Sequence, residues 1–493
     1  MSERAATAAD RRGALLMAGV LAGMLLLDLH KVSIAIPALE RSLHPGPTGI
    51  QLVHSSYVLA FALTLLPAGR LGDRGGRSRL IGIGLALYLA ASALCTFAPG
   101  IELVIAGRAA LGVAAGILMP QAMGLVQSLF SGEERGRAFG VYGVCVSLAT
   151  ALGPSVGGLL VWLGGDVHGW RGVFALNLPV GVALAVSAAI LLPRLRDELA
   201  PSPSAVPHKG GDAVGLAVFG AAIVLVLAPF ILTTGRPGDP VWRWLLVLPA
   251  AALAVVFVAR SRERGRAGRG TVIDVTLLQL PSLRNGVLIS LTWFATGPAF
   301  VLGLTVYLQT AVGLNALAAG MLQLPSAAAS ALGAALGGRH VARQGRRLTI
   351  IGMLLSAGGM LASTACLGLP LVGIFVAIPL LQLVIGFGGG LVVSPNHAQT
   401  LADVPRDRGG AAGSLGQLAQ RVSNSVGVSL AAVAFFTPIY GSGATLDSAA
   451  PAVTLAAAHA ATAVSLCFLA LALTVALVDR HRQRSVAALA VAA

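Results

Sequence analysis

Gly69-Arg-Leu-Gly-Asp-Arg-Gly-Gly-Arg-Ser-Arg79 packs five charges and four glycines between two long apolar segments. Flanks of that kind make the stretch a hinge between two membrane spans, on the cytoplasmic side where arginine accumulates. A weaker copy, Gly338-Arg-His-Val-Ala-Arg-Gln-Gly-Arg346, repeats Gly, Arg, Arg, Gly and Arg in register 269 residues further on. The chain therefore reads as internally duplicated.

Composition points the same way. Of the 493 residues 56% are hydrophobic and only 11% charged, with a mean hydropathy of +0.84, which excludes an ordinary water-soluble domain. The formal charge of +15 would suggest nucleic acid in a soluble chain. Here it resides in loops, no basic patch interleaves with aromatics, and no nucleic-acid partner is expected. Apolar stretches of span length occur at 13–36, 49–70, 79–98, 102–126, 137–162, 171–193, 212–234, 242–260, 285–311, 316–338, 348–368, 370–398, 410–437 and 455–478. These predict an all-α polytopic membrane protein with fourteen transmembrane helices, since nothing alternates with the period of a barrel strand. Threading them places 27 Lys and Arg on the side of the termini and only Arg41, Arg171, Arg236 and Arg243 opposite. Both termini are thus expected in the cytoplasm. The first span is too long for a cleaved signal peptide and is expected to remain. Cys95, Cys145, Cys366 and Cys467 fall within spans, so neither a disulfide framework nor a metal site is implied, and no cofactor is expected.

Aligning the two hinge stretches pairs the second span with the tenth. The expected organisation is a six-helix bundle over 1–194, linkers and two inserted helices over 195–270, and a second six-helix bundle with a short cytoplasmic tail over 271–493. Two similar halves imply a cavity between them at mid-membrane. Several motifs now line up in order: Gly69 to Arg79 between spans 2 and 3; Arg108-Ala-Ala-Leu-Gly112 in span 4; Gly153-Pro-Ser-Val-Gly-Gly158 in span 5. Leu27-Asp28 through Ala35-Ile-Pro37 and Trp170-Arg-Gly-Val-Phe-Ala-Leu-Asn-Leu-Pro179 complete the set. Over essentially its whole length the chain resembles the fourteen-span drug:proton antiporter branch of the major facilitator superfamily. The resemblance implies a plasma-membrane efflux transporter that exchanges protons for small amphipathic organic compounds, works as a monomer in the lipid bilayer, and confers drug resistance. It implies no enzyme. A membrane-embedded enzyme would need paired carboxylates, a nucleophile with its base or clustered metal ligands at one depth, and none is present. Lipid or metabolite export and nutrient uptake are the other transport readings.

An ionisable residue inside a span is a functional candidate by default. Asp28 is the one carboxylate well inside a span, while Glu102, Asp212 and Asp479 sit at span ends. Asp28 lies roughly 13 Å from the outer end of span 1 and Arg108 roughly 10 Å from that of span 4, at the helical rise of 1.5 Å per residue. Lys31, three residues after Asp28, shares its helix face. An Asp28, Lys31 and Arg108 cluster is therefore expected, with Asp28 the group that exchanges a proton. Lys31 departs from the aliphatic residue common in the branch. Gln121, Asn177, Trp293, Gln309 and Arg421 are further lining candidates; the sequence does not name the partner of Arg421. His397, near the end of span 12, is expected to be hydrated. Gly69, Asp73, Arg74, Gly76 and Arg77 form the expected cytoplasmic gate, with Asp73 accepting backbone N–H bonds at a helix start. The copy carries Ala342 in place of that acid. Gly153, Pro154, Gly157 and Gly158 resemble the antiporter motif, whose glycines permit close helix contact and favour export.

Overall fold

The computed structural model describes residues 7–43, 46–196, 198–199, 212–231, 241–267, 269, 271, 275–314, 316–405, 408–442 and 449–492. They form fifteen α-helices. The first seven are α1 (Ala8–Leu43), α2 (Gly46–Leu71), α3 (Arg77–Thr96), α4 (Ile101–Leu129), α5 (Gly132–Ala175), α6 (Asn177–Arg194) and α7 (Ala213–Ile231). Then follow α8 (Val247–Arg266), α9 (Pro281–Thr310), α10 (Ala316–Met321), α11 (Pro325–Gln344), α12 (Arg346–Ala365), α13 (Leu371–Thr400), α14 (Gly409–Gly441) and α15 (Pro451–Ala492). Helix is the necessary outcome for long apolar segments in lipid, because each backbone N–H must find its acceptor within its own segment. The outward faces fit that setting: Val372 is 77% exposed, Trp162 76% and Leu248 68%, surfaces that water would disfavour.

Ten helical stretches among the described residues are long and apolar enough to cross a membrane, against the fourteen spans expected. α5 continues from Gly132 to Ala175 through a kink at Gly165 (φ +72°). α7 is apolar along its whole length, with Pro229 in its last turn.

The chain divides into two compact units. The first comprises Met1–Leu227, Leu245–Leu280 and Val404–Leu418, and so includes the opening turns of α14. In it α1 packs along α5, α2 along α4, and α3 against α4 and α6. The rings of Phe219 of α7 and Phe257 of α8 meet at a tilt of 45° with centroids 5.3 Å apart, and Asp212 holds the same two helices by accepting from Arg260 Nη2 at 2.9 Å. The second unit comprises Ala228–Trp244, Pro281–Asp403 and Ala419–Ala493. There α11 packs along α13, and α12 against α13 and α15, repeating three pairings of the first unit. The duplicated hinge differs between the units. In the first copy α2 passes into α3 through a π-helical turn, Gly72–Gly76. In the second, α11 stops and Gly345 turns the chain with φ +51°, a conformation that glycine adopts without strain.

Candidate functional site

Asp28 and Lys31 occupy one face of α1, and α4 and α6 deliver Arg108 and Asn177 to the same point. All four are buried, Asp28, Lys31 and Arg108 to 0% exposure. Arg108 Nη1 donates to Asp28 Oδ2 at 2.8 Å, and Lys31 Nζ lies 3.1 Å from Asp28 Oδ1. Asn177 joins the two: its Nδ2 donates to Asp28 Oδ1 at 2.9 Å, while its Oδ1 accepts from Lys31 Nζ. Two groups not anticipated from the sequence complete the shell. Ser92 Oγ of α3 accepts from Asn177 Nδ2 at 3.1 Å, and the Tyr57 ring of α2 lies under the Arg108 guanidinium at 4.2 Å, a cation–π contact. The signal available for both was only their place on neighbouring helices at similar depth.

Behind this cluster runs α5. A Cβ on Gly157 would sit 2.7 Å from the Lys31 carbonyl oxygen and 3.2 Å from Lys31 Cα, so only glycine lets α5 approach α1 there. Gly153 is buried and Gly158 partly buried on the same helix; the side chain of Pro154 lies outside the described residues. Gln121, also expected as a lining residue, is buried on α4. Gln121 ties α4 to α2 by donating to the Ala68 carbonyl at 3.0 Å. In the second unit Trp293 is buried on α9, Gln309 is exposed near the end of that helix, and Arg421 is buried on α14.

The Gly69–Arg79 stretch is built around Asp73. Its Oδ1 accepts from the backbone N–H of Gly410 at 2.8 Å and its Oδ2 from that of Ala411 at 2.7 Å. The helix start that Asp73 serves is thus that of α14, where unpaired N–H groups and the helix dipole favour an anion. Arg77 Nη2 donates to Asp73 Oδ1 at 3.0 Å, while Nη1 donates to the Gly124 carbonyl at 2.9 Å and to Ser128 Oγ. Burial pushes the Asp73 carboxyl up to about 6, against the pull of Arg77 and of the two backbone donors. Gly69 faces Gly410: a Cβ on Gly69 would lie 2.7 Å from the Gly410 carbonyl oxygen, so the α2 and α14 backbones meet directly. Ser414 Oγ donates to the Leu65 carbonyl at 3.0 Å one turn along. Gly76 closes the π-helical turn, and Arg74 is exposed.

The second unit holds a buried network that the sequence reading missed. Arg346 Nε donates to Asp479 Oδ2 at 2.6 Å and Nη1 to Asn396 Oδ1 at 2.6 Å. Asn285 Nδ2 donates to Asp479 Oδ1 at 2.5 Å, and Asn396 Nδ2 to Ser290 Oγ at 3.1 Å. Four helices, α9, α12, α13 and α15, are thereby pinned. Asp479 is not merely a span-end acid; it is 3% exposed. The offset of 269 residues maps Arg77 onto Arg346, and since the copy lacks an acid at 342, a distant carboxylate was the signal to seek. His397 also departs from expectation. α13 continues past it to Thr400, leaving the ring 7% exposed with Gln420 Nε2 3.0 Å from its Nε2, a bond the amide donates when the imidazole proton sits on Nδ1.

Comparison with known proteins places this architecture. The model of the Major Facilitator Superfamily matches residues 15–217 and 213–428. A probable actinorhodin transporter of Streptomyces coelicolor is 34% identical over 454 residues, 90% of this chain and 77% of the relative. The tetracenomycin C resistance and export protein of Streptomyces glaucescens is 29% identical over 83% of this chain and 73% of its own length. Among solved structures, the human organic anion transporter MFSD10 shares the fold with a TM-score of 0.66 at 15% identity, over 94% of this chain and 100% of that one. This multi-pass membrane chain belongs to the Major Facilitator Superfamily.

Proposed function

We propose that the chain is a secondary active exporter of small amphipathic organic compounds, drugs or antibiotics, driven by protons entering as substrate leaves. The Asp28, Lys31, Arg108 and Asn177 cluster carries this reading. Buried charges in a membrane bundle are expensive and are kept where charge must be exchanged. The glycine contact of α5 behind Lys31 supports it, because movement of α5 against α1 would be felt at once by the charged groups. The names of the two bacterial relatives favour export. In this reading the protein sits in the plasma membrane as a monomer with both termini in the cytoplasm. Asp73 on the start of α14 is then a latch for the cytoplasmic side, reset in each cycle. Gln121, Trp293, Gln309 and Arg421 are the further candidates for substrate contact.

The test is expression in an efflux-deficient host, with intracellular accumulation of a panel of amphipathic compounds measured against a vector control. Lowered accumulation that is abolished by collapsing the proton gradient is expected. Raised accumulation would reverse the direction, and an effect indifferent to the gradient would remove the proton from the mechanism.

A further inference from the structure

The cluster contains one carboxylate and two basic groups, all at 0% exposure, so with every group ionised it carries one excess positive charge inside the bundle. Two proton movements can change that. Protonating Asp28 leaves Arg108 and Lys31 together without a counter-charge, and Arg108 cannot release its own proton. It also disturbs a carboxylate that takes hydrogen bonds from Arg108 and Asn177 as well as meeting Lys31. Removing a proton from Lys31 instead leaves a neutral site. The Arg108 to Asp28 pair stays intact, and the amine keeps N–H bonds for Asn177 Oδ1.

From this we infer that Lys31, rather than Asp28, is the group that carries the transported proton. The inference rests on the proton-coupled reading above and names the exchanging residue within it. Around the Lys31 ammonium stand Asp28 on its own helix, Arg108 of α4, Cys95 of α3 and the amide of Asn177 on α6. Tyr88 of α3 stands beside Asp28. From α5 the packed residue is Gly157, which has no side chain to titrate. Arg108 and Asp28 thus form a fixed pair, and Lys31 is the one basic group here able to exist in two charge states. A substrate bringing positive charge towards Asp28 repels the Lys31 proton, which passes to water on one side and is regained from water on the other. Proton and substrate then exclude each other, as antiport requires.

The full chain is purified and reconstituted, and ethidium serves as the amphipathic cationic probe under an imposed pH gradient. In Lys31→Met and Lys31→Arg, gradient-driven accumulation is expected to fall about tenfold or more; exchange of labelled for unlabelled probe persists in Lys31→Met, where only coupling is removed, and is lost in Lys31→Arg, whose fixed charge excludes the cationic probe. Accumulation within about twofold of the parent in Lys31→Met would overturn the assignment and return the role to Asp28. A second readout needs no transport. Lys31 and Lys209 are the chain's only lysines. Lys209→Arg with 15N-labelled lysine therefore leaves one side-chain signal, which must show both ammonium and amine forms over the pH range of the assay. A signal that stays ammonium throughout overturns the inference whatever the transport result. A parent chain indifferent to the gradient, with both forms of Lys31 observed, would instead count against the proton-coupled reading alone.

Discussion

Lowering the pH should tighten the contact between Asp73 and the start of α14. In that contact the carboxyl sits at about 6, against an ordinary 3.8. Released into water, it returns to the ordinary value. The seated state therefore binds the proton more readily than the released state, and its stability rises as the pH falls from about 6 towards 4, changing little outside that window. The difference of about two pK units amounts to about 3 kcal/mol across the whole window. Between pH 7 and pH 5 the share of released molecules should fall about tenfold, or about 1.3 kcal/mol. Ser414, buried one turn into α14 against the Leu65 carbonyl, is the reporter position. With Cys95, Cys145, Cys366 and Cys467 replaced, Ser414→Cys is alkylated by a permeant maleimide at each pH, with and without Asp73→Asn. The ratio of the two rates cancels the titration of the thiol itself. A ratio that is flat, or that shows faster release in the Asp73 protein at pH 5 than at pH 7, would refute the reasoning.

Other consequences are open to direct measurement. Asp73→Ala removes two charge-assisted acceptors, each worth about 1.5 kcal/mol or more, so transport should fall while membrane insertion stays normal; full activity would leave the arginines a purely topogenic role. Gly157→Leu forces a side chain into the Lys31 backbone, and overpacking of about 1–3 kcal/mol or more should abolish export, measured as dye retention by cells; unchanged export would show that α5 does not need this approach. Asp479→Asn strands the Arg346 guanidinium, at about 3–5 kcal/mol, and should lower the midpoint of thermal unfolding in detergent. Arg346→Met with Asp479→Leu should melt above either single substitution, and a double variant as unstable as the worse single would contradict the buried-pair account.

The apolar segments and the duplicated hinge were legible because both are local: a run of hydrophobic residues, and a spacing of glycines and arginines. The Asp28, Lys31 and Arg108 meeting was legible for a related reason, since helical rise sets depth and a three-residue step sets the face. What escaped notice depends on separations with no period. Nothing local joins Asp73 to Gly410, or Arg346 to Asp479, which lie 337 and 133 residues apart. Asn177 was legible as one lining candidate among several, but not as the amide that contacts both Asp28 and Lys31. An apolar run ending at 398 puts His397 at a hydrated helix end, whereas α13 runs to Thr400 and Gln420 meets the ring.

The source of the Arg346 counter-charge also bears on how the chain is made. Arg77 has Asp73 four residues before it, so the first bundle has that charge matched as soon as the turn forms. Arg346 can meet Asn396 after 50 more residues, but its carboxylate arrives only with α15. During synthesis, which proceeds from the N-terminus, α12 must hold an unmatched cation until α15 is inserted. Insertion of α15 is then the step that neutralises Arg346, and Asp479 is the side chain through which that insertion is felt by helices laid down long before.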